Sequence, residues 1–287
     1  MKTVKGLHEK MGTFENANTS FHQAARCKRY TNEVLAFSMV KEEELLRATE
    51  EIQNLTYRQG EYKIFKVFEP KERLIMALPF YDRVVQHMIC NAIQPVFENG
   101  FYYHSYACRS GKGMHAASDT LYQWMYETEV KQGLRMYAFK GDISKYFASI
   151  PHDKLKDENR RYIGDKKALM LMDDIIDHNG ILPDGVGIPV GNLTSQLFAN
   201  VYGNKLDKFC KHVLHIPYFV RYMDDFIILS DDLEQLKEWV KRIEEFLENE
   251  MLLHINPKST ILYAGNGIDF CGYIHYADHK KVRKSSI

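Results

Sequence analysis

The segment Tyr218-Phe219-Val220-Arg221-Tyr222-Met223-Asp224-Asp225-Phe226-Ile227-Ile228-Leu229 sets two adjacent carboxylates between apolar runs. Runs of this kind read as the two strands of a hairpin in a buried sheet, with the acids at the turn. Paired acids there cost desolvation and mutual repulsion unless a cation neutralises them. Magnesium suits the position, because this hard ion takes carboxylate oxygens and substrate phosphates. The other acid pairs differ in kind. Asp173-Asp174 falls within a helical pattern and Asp231-Asp232 at a helix start, where acids serve as surface or capping residues.

Asp142 supplies a further carboxylate. It closes the apolar stretch Arg135-Met136-Tyr137-Ala138-Phe139-Lys140-Gly141, which reads as a strand able to lie beside the Tyr218 strand. Two divalent ions roughly 3.5–4 Å apart need such a set if they are to activate an attacking hydroxyl and steady a leaving group.

Around these acids the pattern alternates between helix and strand periods. Helical spacing runs through 13–54, an alternating hairpin through 62–78, and helices through 79–97 and 110–131. A strand follows over 134–143, helices over 150–176, a Gly/Pro-bearing loop over 179–187 and a long helix over 191–213. The strand pair 218–229, an amphipathic helix over 231–250 and strands near 260–263 and 268–276 complete an α+β order. At 287 residues, 45% hydrophobic and 26% charged, the chain is expected to fold as one large domain or two joined lobes.

Lys plus Arg equal Asp plus Glu at 38 each, so any nucleic-acid site must come from local clustering rather than a global basic charge. The basic runs at 26–30 and 280–284 read as solvated surface. Five scattered cysteines without a C-x-x-C pair argue for reduced thiols. No stretch approaches the ~20 apolar residues of a membrane span, so a soluble, cytoplasmic protein with no membrane partner is expected. His212 and His215 lack a matching Cys or His for a metal site, and His115 reads as a packing or capping residue.

Taken in order, the blocks from about 63 to 273 resemble those of reverse transcriptases. The resemblance implies a right-hand polymerase fold, with an antiparallel palm sheet packed on helices. Residues 1–134 would form an N-terminal extension and fingers, and 135–277 the palm, with a fingers-like helical insertion at about 150–186. Lys140-Gly141-Asp142-Ile143-Ser144-Lys145-Tyr146-Phe147 is similar to the first palm motif. On that similarity Asp142, Asp224, Asp225 and the Ile143 carbonyl would hold two Mg2+ ions, and Phe147 would exclude ribonucleotides. Lys258, in Asn256-Pro257-Lys258-Ser259, resembles the lysine that protonates leaving pyrophosphate. Phe270-Cys271-Gly272-Tyr273 is similar to the hairpin gripping the primer, so Cys271 and Gly272 join Tyr222 and Met223 as primer contacts.

Pro70-Lys71-Glu72-Arg73 resembles the fingers hairpin whose basic pair, here Lys71 and Arg73, binds the incoming triphosphate through charge-assisted contacts. Arg83, Arg109 and Lys112 fall in further fingers blocks as template-backbone contacts. Gly187-Ile188-Pro189-Val190-Gly191-Asn192-Leu193-Thr194-Ser195-Gln196 resembles the nucleotide-binding loop, with Gly191 side-chain-free so that backbone can approach a base pair. The chain ends at Ile287, where the family usually continues into a helical thumb. The resemblance therefore implies a thumb largely absent, with 278–287 as its beginning: either the sequence is cut short there, or another protein or RNA clamps the duplex.

Most of the superfamily carries glutamine before that loop glycine and proline after the serine; here the residues are Val190 and Gln196. V-G-N-L-T-S-Q, F-x-P-K-x-R-L-I and Y-A-C-R-x-G-K-G-x-H resemble the reverse transcriptases of diversity-generating retroelements. Those copy a template RNA into cDNA from deoxynucleoside triphosphates, with frequent errors at template adenines, alongside a basic, barrel-shaped accessory variability protein. A valine fills space where a glutamine amide would hydrogen-bond, and losing one or two contacts of roughly 0.5–1.5 kcal/mol would relax discrimination about tenfold. Retron, group II intron and phage-defence reverse transcriptases would share the aspartates but differ around Gly191. A catalytically idle nucleic-acid scaffold is the non-enzymatic rival, and it has no reason to retain costly clustered acids.

Overall fold

The computed structural model describes residues 3–68 and 72–284. In chain order the elements are α1 (Leu7–Met11), α2 (Phe14–Ala24), α3 (Asn32–Met39), α4 (Lys41–Gln53), β1 (Lys63–Val67), β2 (Arg73–Ala77) and α5 (Phe80–Glu98). Then come α6 (Met114–Met125), β3 (Tyr137–Asp142), α7 (Tyr146–Ser149), α8 (His152–Tyr162), α9 (Lys166–Asp177) and α10 (Leu193–Lys208). The chain closes with β4 (Tyr218–Tyr222), β5 (Asp225–Ser230), α11 (Leu233–Glu250), β6 (Thr260–Tyr263), β7 (Ile268–Phe270), β8 (Tyr273–His275) and β9 (Lys280–Val282). The contacts sort into unit 1, Met1–Gly100 with Ile150–Val201, and unit 2, Phe101–Ser149 with Tyr202–Ile287.

Unit 1 is built on α5, which buries Val84, Val85, Met88, Ile89, Ile93 and Phe97. Pro79 precedes it, in keeping with proline's fit at a helix start. The rings of Phe21, Phe37 and Phe80 pack at 5.1–6.0 Å between centroids and fix α2 and α3 against α5. Asp165 caps α9 and also accepts from the amides of Leu7 and His8 at 2.8 and 3.0 Å, which ties α1 to that corner. β1 and β2 pair antiparallel from Lys63 opposite Ala77 to Val67 opposite Arg73, and β1 is exposed along its length.

Unit 2 holds an antiparallel sheet in the order β4-β5-β3-β6. β5 is central and carries the near-continuous run Phe226-Ile227-Ile228-Leu229, all buried, as a strand covered on both faces requires. Ala138, Val220, Ile227 and Leu229 pack with Leu121 and Met125 of α6. Phe139 meets Phe226 edge-on and Phe219 meets it at a tilt, with centroids 5.8 and 6.0 Å away. The Asp142 strand therefore lies beside β5, not beside the Tyr218 strand as its sequence suggested. β5 pairs with β3 on one side and β4 on the other, so its buried apolar run has a strand along each edge. Asp232 accepts from the amides of Glu234 and Gln235 as the cap of α11, the capping role expected of that acid pair.

The region near 268–276 is a hairpin rather than one continuous strand, as the resemblance of Phe270-Cys271-Gly272-Tyr273 implied. Phe270 faces Tyr273 across a two-residue turn in which Cys271 and Gly272 both have positive φ, 49° and 80°. Nothing in a lone cysteine signals that conformation. β9 adds a third strand through Tyr273 opposite Val282.

Gly141 sits directly opposite Phe226, whose ring covers it so closely that a Cβ would collide with the ring carbons. Gly141→Ala is expected to cost about 1–3 kcal/mol by overpacking, a fall in Tm of roughly 2–10 °C. Thermal melting checks it, with Gly141→Ala/Phe226→Leu expected to recover part of the loss.

Candidate active site

Asp142 and Asp225 are cross-strand partners in the β3–β5 ladder, so their side chains share one sheet face. Tyr222 pairs with Asp225 on the same face. Asp224 lies in the β4–β5 turn, and its carbonyl accepts from the Ile143 amide at 3.2 Å, which binds that turn to the end of β3. Like charges facing each other across a ladder repel. Burial first, then the charges of Asp224 and Asp142, push Asp225 from 3.8 up to about 6 against the opposing pull of Lys140 and Arg283. The Cys271 thiol, raised to about 12 chiefly by burial, also feels Asp225. The turn of the β7–β8 hairpin thus lies within electrostatic reach of the carboxylates.

The turn bearing Asp224 is strained and held. Met223 has φ of 60°, a conformation most residues avoid, and is 8% exposed. Its carbonyl accepts from Nη1 of Arg221 at 2.8 Å. Arg221 is fully buried and meets Asp207 of α10 through Nε to Oδ1 at 2.6 Å and Nη2 to Oδ2 at 2.7 Å. Nη2 also donates to the Ser105 hydroxyl at 3.0 Å. Burial works against the charged guanidinium, and Asp207 more than offsets it, holding Arg221 above its ordinary range. Gly203 leaves room for the guanidinium, since a Cβ there would stand 2.6 Å from Nη1 and 2.9 Å from the Tyr146 hydroxyl. Sequence reading passed over Arg221 and Asp207; the signal was a lone arginine inside an apolar strand, which needs a buried partner.

Asp142 is gripped from the other side. The Asn256 amide donates Nδ2 to Asp142 Oδ2 at 2.6 Å, and the Asn256 main-chain N–H donates to the Asp142 carbonyl at 2.7 Å. The Asp142 N–H donates to Ser259 Oγ at 3.0 Å. Lys258 is exposed, and its main-chain N–H donates to Asn256 Oδ1 at 3.1 Å. Phe147, half-buried in α7, meets Tyr146 edge-on at 5.9 Å.

In unit 1, the Met76 N–H donates to the Val190 carbonyl at 3.3 Å and Asn192 donates to the Tyr62 hydroxyl at 2.9 Å, so the 187–196 loop is fastened to the β1–β2 hairpin. Gly191 has φ of 115°, and this conformation, rather than crowding by protein atoms, is what calls for glycine. A cavity of about 700 Å³ is lined by Lys28, Lys63, Arg83, His87, Gly191 and Gln196 among others. Arg83 donates to Leu78 O at 2.8 Å and pairs with Glu33 at 2.6 Å. Lys71 lies outside the described residues, and Arg73 begins β2 opposite Val67. In unit 2, Arg109 donates to the carbonyls of Tyr102 and Ser105, and Lys112 to that of Tyr103, so both brace their own loop. His115, exposed, shares a hydrogen bond with the Tyr273 hydroxyl at 2.9 Å and meets its ring edge-on.

Residues 66–275 match the family model for reverse transcriptase (RNA-dependent DNA polymerase). The chain belongs to the reverse transcriptase family. It is 25% identical to the Escherichia coli protein YkfC over 251 residues, 71% of this chain and 62% of that protein. It is 22% identical to a putative COX1/OXI3 intron 2 protein of Saccharomyces cerevisiae, over 67% of this chain and 29% of that protein. Among solved structures, apo telomerase from Candida tropicalis, truncated from its C-terminal domain, matches with a TM-score of 0.57 at 15% identity, over 79% of this chain and 55% of that one. Telomerase from Candida albicans in complex with a TWJ fragment of telomeric RNA gives 0.58 at 12%, over 82% and 48%. These similarities establish the right-hand polymerase fold, and this chain spans less than two thirds of the length of each of these proteins.

Among the described residues of this reverse transcriptase chain, no three His, Cys, Asp or Glu side chains already form a metal-ligating set. The donor chemistry nonetheless fits a hard divalent cation, since the charges of Asp224 and Asp142 add to burial in raising the proton affinity of Asp225. The proton affinity of Asp225 has a measurable consequence. Its raised value favours the folded state below pH 4, and that contribution is lost as pH rises through about 6. Asp225→Asn is therefore expected to stabilise the metal-free chain at pH 8 by roughly 3 kcal/mol, with little difference at pH 4. Added Mg2+ is expected to narrow the gap by raising the Tm of the wild type more. Equal melting of both proteins across pH 4–8 would contradict this.

Proposed function

We propose that this chain is an RNA-directed DNA polymerase whose chemistry resides in Asp142, Asp224 and Asp225. The observation that carries the reading is the β3–β5 register, which sets Asp142 and Asp225 side by side on one sheet face next to the Asp224 turn. These carboxylates, with the Ile143 carbonyl, would hold Mg2+, which when bound activates the primer hydroxyl and neutralises charge on the departing pyrophosphate. Within unit 2, Lys258 donates a proton to pyrophosphate, and Phe147 closes the space a ribose 2′-hydroxyl would need. Tyr222, Met223, Cys271 and Gly272 hold the primer end, while Arg109 and Lys112 contact the template backbone. Within unit 1, Lys71 and Arg73 neutralise the triphosphate, Val190, Gly191 and Gln196 contact the nucleotide, and Arg83 contacts the template. Residues 1–134 act as N-terminal extension and fingers, and 135–277 as palm with a fingers-like helical insertion at about 150–186.

Within the family, we read the chain as a diversity-generating reverse transcriptase that copies a template RNA with errors at adenines, assisted by a basic accessory protein. Val190 and Gln196 support that reading. The intron-derived name of the yeast relative favours an intron-encoded enzyme instead. Because Val190 is fastened through its main-chain carbonyl, its side chain can be changed without releasing the loop.

A primed RNA template is expected to be extended with deoxynucleotides in the presence of Mg2+ by the wild type, with a loss of at least about 10³-fold in Asp224→Asn. Val190→Gln is expected to lower misincorporation at template adenines about tenfold. Absence of extension by the wild type contradicts the polymerase reading; an unchanged error spectrum in Val190→Gln contradicts the finer one.

A further inference from the structure

Asn256 opens the turn Asn256-Pro257-Lys258-Ser259. The Ser259 N–H donates to the Asn256 carbonyl at 2.8 Å, with Pro257 at the position where its fixed φ suits a β-turn. The side chain of Asn256 closes a second, inner ring by accepting from the Lys258 N–H at 3.1 Å. That bond fixes the orientation of the amide, because its oxygen must face the Lys258 N–H. Nδ2 is left as the end that meets Asp142 Oδ2 at 2.6 Å. The main chain of the same residue donates to the Asp142 carbonyl at 2.7 Å, and Ser259 Oγ receives the Asp142 N–H at 3.0 Å. Asp142 is thus held at its carbonyl, its amide and one carboxylate oxygen by a single four-residue turn.

We propose that Asn256 is a positioning residue that sets the rotamer of Asp142 for cation binding and locks the backbone of Lys258 in register with it. One amide group performs both tasks, since its donor end holds a carboxylate and its acceptor end holds the lysine's N–H. The bond to Oδ2 restrains rotation of the Asp142 carboxylate, so a cation would meet it in one orientation. An aspartate at this position would preserve the turn, because a carboxylate oxygen can still accept from Lys258. It could not serve Asp142, because it has no donor and places like charge against Oδ2. The role assigned to Lys258 rests on the polymerase reading; the tie to Asp142 does not.

The test uses Asn256→Ala and Asn256→Asp in the whole chain, each first melted in EDTA to establish folding. Titration of Mn2+ into metal-free protein is expected to show about tenfold weaker binding by Asn256→Ala than by wild type, the size of a lost hydrogen bond to a charged group. In single-nucleotide extension, both variants are expected to lose about tenfold in kcat and to need about tenfold more Mg2+, with KM for the nucleotide within about twofold of wild type. A purely structural turn would make Asn256→Asp behave as wild type, and that result overturns the proposal. Unchanged Mn2+ affinity in a folded Asn256→Ala overturns it as well. If the wild type does not extend a primer, the polymerase reading fails, and the Mn2+ titration still decides the tie.

Discussion

A guanidinium and a carboxylate, both removed from water, meet at the centre of unit 2: Arg221 and Asp207 are bound twice at 2.6 and 2.7 Å with no exposed side-chain surface. Breaking such a pair by removing one partner costs about 3–5 kcal/mol, because the survivor is left charged and unmatched. The guanidinium does more than satisfy Asp207. It reaches the Ser105 hydroxyl and the Met223 carbonyl, while the Arg221 main chain accepts from the Tyr106 N–H and donates to the His104 carbonyl. Helix α10, the 101–113 loop and the aspartate-bearing turn are thereby registered on one planar group. Tyr146, buried beside the same guanidinium, extends that registration to its neighbour Phe147.

The turn needs this support. Met223 holds a positive φ without being glycine, and the carboxylates beside it repel one another in a half-buried setting. Both features oppose folding locally, and sites that perform chemistry store strain of this sort when the surrounding structure determines them fully. Here the surroundings are the β5 core and the Arg221 hub on one side, and the Asn256-Pro257-Lys258-Ser259 turn on the other.

Much of this was legible in the sequence, and the rest was not for definable reasons. The apolar runs around Asp224-Asp225 announced a hairpin because alternation and apolarity are local signals. Asp142 announced itself as the polar end of an apolar strand. Which strand lies beside it was not local information, since the β3–β5 ladder joins segments far apart in sequence. Arg221 passed as one polar residue in a strand because its partner Asp207 lies on a distant helix. Asn256 was visible only as the neighbour of Lys258, although an Asn-Pro pair signals a turn, because its second partner, Asp142, is far away in sequence. The hairpin at Cys271 and Gly272 was legible through its resemblance, whereas the positive φ of Cys271 was not, because that residue type rarely adopts it.

The central claim is that Asp142, Asp224 and Asp225 form one cation centre. Diffraction at the manganese edge from crystals of the chain with Mn2+ and a primed RNA template tests it most directly. The expected result is anomalous density ligated by Asp142 and Asp225, lost in Asp142→Asn. Manganese bound only elsewhere, or density at this face that persists in Asp142→Asn, would contradict it.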